Sequence, residues 1–142
     1  MRKKIGEVEL NYKYYRGNDL YSDGNVEDII LKYCKEEKED ELLKISSKWA
    51  VLYHLAEERG NVIEWLDLKP EAEILEIGSG LGAITKTLSN KAKKVTCVEL
   101  SAKRSLINAY RNKERKNISI LIGNFEEIEA DLGLYDYITL IG

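Results

Sequence analysis

Apolar positions change their spacing at Pro70, the one proline of the chain, and the change divides the sequence into two textures. Downstream, short apolar runs alternate with stretches of helical period. Residues 74–77, 95–100, 118–122 and 137–141 read as strands. Between them, 81–88 reads as a helix with Ile84 and Leu88 on one face. Ser101 caps a second helix running to about Lys113, whose buried side carries Leu106, Ile107 and Tyr110. Upstream, the pattern is helical. Asn25 can cap a helix bearing Val26, Ile29, Ile30 and Tyr33, and the charged run 35–41 reads as a solvated face or bend. A further helix follows Ser46 or Ser47, with Trp49, Leu52, Tyr53 and Ala56 as its apolar stripe and Gly60 as its stop. Asn61 opens a shorter one through 62–66. Residues 1–24, with Tyr12, Tyr14, Tyr15 and Tyr21, fit a loop, a hairpin or a strap over a site.

Strands alternating with crossover helices imply βαβ units and a parallel sheet. The expected fold is therefore α/β, a Rossmann-like parallel sheet of residues 70–142 preceded by a mainly helical segment, 1–69.

Composition narrows the function. In 142 residues the formal net charge is -3, which disfavours a polyanionic partner such as nucleic acid or an acidic membrane. The average hides a basic tract from Lys86 to Lys116, in which Glu99 and Glu114 are the only acids. It reads as solvated helix surface, with an anionic substrate as the sharper alternative. Cys34 and Cys97 lack metal-ligand spacing, and His54 is the single histidine, so no metal site is expected. No apolar stretch is long enough to span a membrane, which points to a cytoplasmic protein.

The first strand after Pro70 runs into Glu76-Ile77-Gly78-Ser79-Gly80-Leu81-Gly82. Glycines there allow a sharp turn and close approach of a ligand, and leave helix amides to receive a negative group. The spacing is G-x-G-x-G, unlike the G-x-G-x-x-G of nicotinamide and flavin enzymes. Glu76 precedes the loop, where it can face a cationic ligand group. Glu99 closes the next strand, where a carboxylate accepts from both ribose hydroxyls and repels a 2′-phosphate.

These features resemble class I S-adenosylmethionine-dependent methyltransferases over residues 74–142. The resemblance implies S-adenosylmethionine as cofactor, held by Glu76, Gly78, Ser79, Gly80, Gly82 and Glu99, with Leu100 packed on the adenine. It also matches Gly123-Asn124-Phe125 to the adenine-end motif, where Asn124 replaces the usual Asp and the Phe125 amide approaches the ring. The stretch from Trp49 to Trp65, with Glu99-Leu100-Ser101-x-x-Arg104 and Ile107-Asn108-Ala109-Tyr110-Arg111, resembles bacterial methyltransferases associated with glycan modification. A small-molecule or glycan acceptor is the implied expectation, with nucleic acid unlikely.

The glycine loop with Thr85 and Val95-Thr96-x-Val98-Glu99 also resembles rRNA adenine dimethyltransferases. Against that alternative stand Ser101, where that group has aspartate, and the long stretch preceding the loop. A third reading is a fragment that binds the cofactor or a nucleoside without transfer. No catalytic residue is assigned, because family acceptor groups follow the fourth strand and the chain ends there. The chain is accordingly expected to be truncated. Its last strand would then be an apolar edge, through which a homodimer is expected.

Overall fold

The computed structural model describes residues 1–17, 19 and 24–141. Its strands are β1 (Arg2–Ile5), β2 (Val8–Tyr14), β3 (Glu73–Ile77), β4 (Lys94–Glu99), β5 (Ile118–Gly123) and β6 (Tyr137–Leu140). They form one sheet in the order β1-β2-β5-β4-β3-β6. β2 through β6 run parallel to their neighbours and β1 returns antiparallel along β2. The helices are α1 (Asn25–Lys35), α2 (Glu39–Ile45), α3 (Trp49–Leu55), α4 (Asn61–Glu64), α5 (Thr85–Lys91), α6 (Ala102–Arg111) and α7 (Phe125–Ile128), with a 3-10 turn at Glu57–Gly60. The α/β, Rossmann-like expectation holds.

Alternation along each strand sorts its residues between two faces. Val8, Leu10, Ile74, Val95, Cys97, Ile118, Ile120 and Ile122 point to the face that Ile63, Ile84, Leu88 and Ala109 cover. Leu75 and Val98 point the other way, onto Ile128. A second cluster, Ile30, Cys34, Leu42, Val51 and Leu55, meets Leu81 and Ile107, and so docks α1–α3 on α6 and on the loop after β3.

The segment 1–69 is not only helical. Residues 2–14 form a hairpin that lengthens the sheet beyond β5, because Val8 and Leu10 alternate inward while Glu7, Glu9 and Asn11 beside them are polar. Tyr21 lies outside the described residues. The apolar stripe expected on α3 is also displaced. Val51, His54 and Leu55 are buried, whereas Trp49 is 75% exposed. A seven-residue helix is oriented by what it meets, here Leu81 and Ile107, more than by its own amphipathicity. The helix after the glycine loop begins at Thr85 rather than Leu81, since the chain first makes a turn closed by Gly82 N–H donating to Ser79 O at 3.0 Å. β6 is an edge strand with Ile138 and Leu140 exposed. Among the described residues, no helix is long and apolar enough to cross a membrane.

Candidate cofactor-binding site

In a parallel sheet the residues following each strand gather along one edge. Here that edge carries, in spatial order, Asn124 after β5, Leu100 after β4, Gly78 after β3 and Ile141 after β6. A cleft of about 240 Å³ opens over the middle of it. Gly78, Ser79, Gly80, Glu76 and Glu99 line it from the sheet, and Tyr53, His54 and Arg59 from α3 and the 3-10 turn.

The glycine loop is built from its own hydrogen bonds. Gly78 and Ser79 N–H both donate to Val98 O, at 2.8 and 3.4 Å. Gly80 N–H donates to Glu99 Oε2 at 2.8 Å, while Glu99 Oε1 accepts from Ser101 N–H at 3.0 Å. The amides expected to be open to an anion are therefore engaged within the protein. Gly80 and Gly82 hold φ of 55° and 84°, which side chains rarely adopt. The space beside Gly80 is open, whereas a β-carbon on Gly82 would collide with Asn108 Oδ1. One glycine thus makes room for a ligand and the other lets α6 approach. Among the described residues, Ser79 Oγ is buried without a hydrogen-bond partner.

Glu76 shares the helix-covered face with Ile74, so its carboxylate turns beneath α5. Oε2 accepts from Thr85 Oγ1 at 2.6 Å and from the Cys97 thiol at 3.4 Å. Asn108 Nδ2 donates to Thr85 Oγ1 at 3.1 Å, and Asn112 Nδ2 to Asn108 Oδ1 at 2.8 Å. Burial pushes the Glu76 carboxyl up to about 7, against the Thr85 and Cys97 hydrogen bonds, which pull it down. The sequence alone assigns Thr85, Asn108 and Asn112 no site role. The spacing of the two asparagines by one helical turn was the available signal.

At the other end of the edge, Asn124 is exposed and caps α7, its Oδ1 accepting from Glu126 N–H at 3.1 Å. Leu100 and Phe125 are half-buried. Asp19 reaches across to α6, where it accepts from the N–H groups of Ala102 and Lys103 at 2.8 and 3.1 Å. Asp19 therefore caps the start of α6 from outside that helix. Among the described residues, no cluster of His, Cys, Asp and Glu could hold a metal ion.

The basic tract pairs internally with the N-terminal helices. Lys86 meets Glu57, Lys103 meets Asp28, Arg104 meets the buried Glu27, Arg111 meets Glu39 and Lys113 meets Glu37, all within 3.0 Å. Arg111 also donates to the carbonyls of His54 and Leu81 at 3.0 and 2.8 Å, tying α3 to the glycine loop. These cations form the docking face for α1, α2 and the 3-10 turn.

The ribosomal RNA adenine dimethylase family model matches residues 60–136. Ribosomal RNA small subunit methyltransferase A of Malacoplasma penetrans is 27% identical over 110 residues, 76% of this chain and 39% of that protein. Its counterpart in Borreliella burgdorferi is 37% identical over 78 residues, 54% of this chain and 28% of that protein. The chain thus spans well under half the length of these relatives. Among solved structures, phosphoethanolamine N-methyltransferase 1 of Haemonchus contortus, in complex with phosphoethanolamine and S-adenosylhomocysteine, superposes with a TM-score of 0.52 at 20% identity. That match covers 84% of this chain and 27% of the other. A TehB-like SAM-dependent methyltransferase of Corynebacterium glutamicum gives 0.50 at 19% identity, over 81% and 55% of the two chains. At such identities the likeness is one of fold, and the fold is that of the class I methyltransferases.

These matches overturn the expectation of a small-molecule or glycan acceptor with nucleic acid unlikely. Net charge misled because it sums acids that are paired inside the molecule and says nothing about a particular surface. The long N-terminal stretch misled because its hairpin and helices add to the sheet's margin and flank, leaving the carboxyl edge intact. By the extent of the family match, this chain belongs to the ribosomal RNA adenine dimethylase family.

Proposed function

We propose that this chain provides the S-adenosylmethionine-binding part of an RNA adenine methyltransferase, with residues 70–142 as the cofactor half-domain and 1–69 packed against it. The observation that carries this reading is the row along the carboxyl edge. Open space at Gly78 and Gly80 lies beside a buried carboxylate, Glu99, and then Leu100, Asn124 and Phe125. The residues fit the nucleoside. Among the described residues, nothing stands within 4 Å of the β-carbon position at Gly78 or Gly80, and the Ser79 hydroxyl is an orphaned buried donor.

Glu99 would accept from the ribose hydroxyls through the lone pairs its two backbone donors leave over. Leu100 and Phe125 would flank the adenine, and Asn124 would meet its edge. Glu76, Gly78, Ser79 and Gly80 would hold the amino-acid end, with Glu76 as a negative floor, while Gly82 serves the packing of α6. The bound cofactor supplies an activated methyl group on sulfonium. The chain's own task is to orient that group toward the β6 side of the cleft and exclude water. An adenine acceptor in ribosomal RNA is supported by the family and by relatives that are ribosomal RNA methyltransferases.

Calorimetric titration tests the cofactor: S-adenosylmethionine and S-adenosylhomocysteine should bind and NAD should not. Binding to small-subunit rRNA that falls steeply with salt, with transfer of labelled methyl to adenine, tests the acceptor. An inert RNA together with a methylated small molecule would defeat it.

A further inference from the structure

In the proposed site the amino-acid end of the nucleoside lacks a counter-charge for its carboxylate. A methionyl carboxylate needs donors or a cation, and the loop that sequence logic offers has its amides of residues 78–80 and 82 already bonded within the protein. The side chain beneath that loop is Glu76, a carboxylate, which repels a second one.

We propose that Arg59 is the group that receives the α-carboxylate of the cofactor's methionyl end, so that the 3-10 turn at Glu57–Gly60 forms the anion site. This rests on the S-adenosyl nucleoside reading. Arg59 lines the same cleft as Gly78, Ser79 and Gly80. Its guanidinium carbon lies 4.2 Å from the Tyr53 ring centroid. Stacking on an aromatic face orients the guanidinium plane, and the edge of that plane matches a carboxylate in bidentate geometry.

The turn that presents Arg59 is itself held. Glu57 meets Lys86 Nζ at 3.0 Å, and Gly60 lies so close to α5 that a β-carbon would collide with Thr87 Oγ1. The side chain is thus offered from a fixed element rather than a free loop, which lowers the cost of ordering it on binding. Arg104, the other guanidinium on the cleft, sits on α6 just after Glu99 and Ser101, on the ribose side, with Nε 2.7 Å from the buried Glu27. Placement along the edge therefore selects Arg59 for the methionyl end. The field of Arg59 already reaches the cleft floor, where it pulls the Glu76 carboxyl downward. A zwitterionic amino-acid group fits between them, its carboxylate toward Arg59 and its ammonium toward Glu76.

The test uses two ligands and two variants of the whole chain. S-adenosylhomocysteine carries the amino-acid carboxylate, and 5′-methylthioadenosine keeps the nucleoside and thioether without it. For Arg59→Gln, calorimetry should show S-adenosylhomocysteine weakened roughly tenfold or more, with 5′-methylthioadenosine changed by less than about twofold. Arg59→Lys should recover part of the loss. Equal weakening of both ligands would mark Arg59 as structural and overturn the proposal, as would unchanged S-adenosylhomocysteine binding. A parent chain that binds neither ligand would instead remove the cofactor reading, and the proposal with it.

Discussion

Glu99 Oε2 accepts the Gly80 N–H at 2.8 Å, so the carboxylate that closes β4 holds the loop that follows β3. Its second oxygen accepts from Ser101 N–H at 3.0 Å, at the cap of α6. One buried side chain thus joins two crossover connections at the point where we propose that the nucleoside binds. A residue assigned to the ligand also organises the site that receives it.

Glu99→Gln separates those roles from simple loss of the side chain. The amide keeps one acceptor and turns a donor toward either Gly80 or Ser101, both donors themselves. S-adenosylhomocysteine should bind about tenfold more weakly to it, and more weakly still to Glu99→Ala, which leaves buried donors unpaired at a cost of about 1–3 kcal/mol. Parent-like affinity in Glu99→Ala would show that the ribose lies elsewhere.

Glu76 makes stability depend on pH in an unusual direction for a carboxylate. Its folded value of about 7 lies above the ordinary 4.5, so between these values the folded chain holds more protons than the unfolded one. Stability therefore falls as pH rises through that window, by an amount on the order of 3 kcal/mol if fully expressed. Urea unfolding at pH 5 and pH 8 should show the parent losing ground to Glu76→Gln at the higher pH. Parallel behaviour of the two proteins would refute the assignment.

The two loop glycines should fail differently. Gly82→Ala combines a left-handed φ with collision against Asn108, and should cost roughly 2–4 kcal/mol of stability. Gly80→Ala meets open space and should cost only the φ strain, about 1–2 kcal/mol, while its methyl blocks the cleft. Thermal unfolding and nucleoside titration, run on both variants, should rank them in opposite orders.

Arg111 joins α6 to Glu39 and to the carbonyls of His54 and Leu81, and its side chain is 10% exposed. Arg111→Ala leaves these acceptors unpaired and should destabilise the chain by about 2–4 kcal/mol. Proteolysis should then cut first within α1–α3. An unchanged melting temperature would mean that the apolar cluster alone docks those helices.

Residues 74–77, 95–100, 118–122 and 137–141 were legible as strands because each is a short apolar run bounded by turn-forming residues. The glycine loop was legible because a sharp turn with left-handed backbone demands glycine at particular spacings. Those are local requirements, and a sequence displays local requirements directly. Tertiary contact decided the rest. Trp49 and Val51 exchange places between surface and core according to where Leu81 and Ile107 stand. The basic tract becomes a docking face because acids distant in the chain reach it, and Val8 and Leu10 become core because β5 leaves an edge to cover. In each case the partner lies far away in sequence, so the energy that fixes the outcome exists only once the chain has folded.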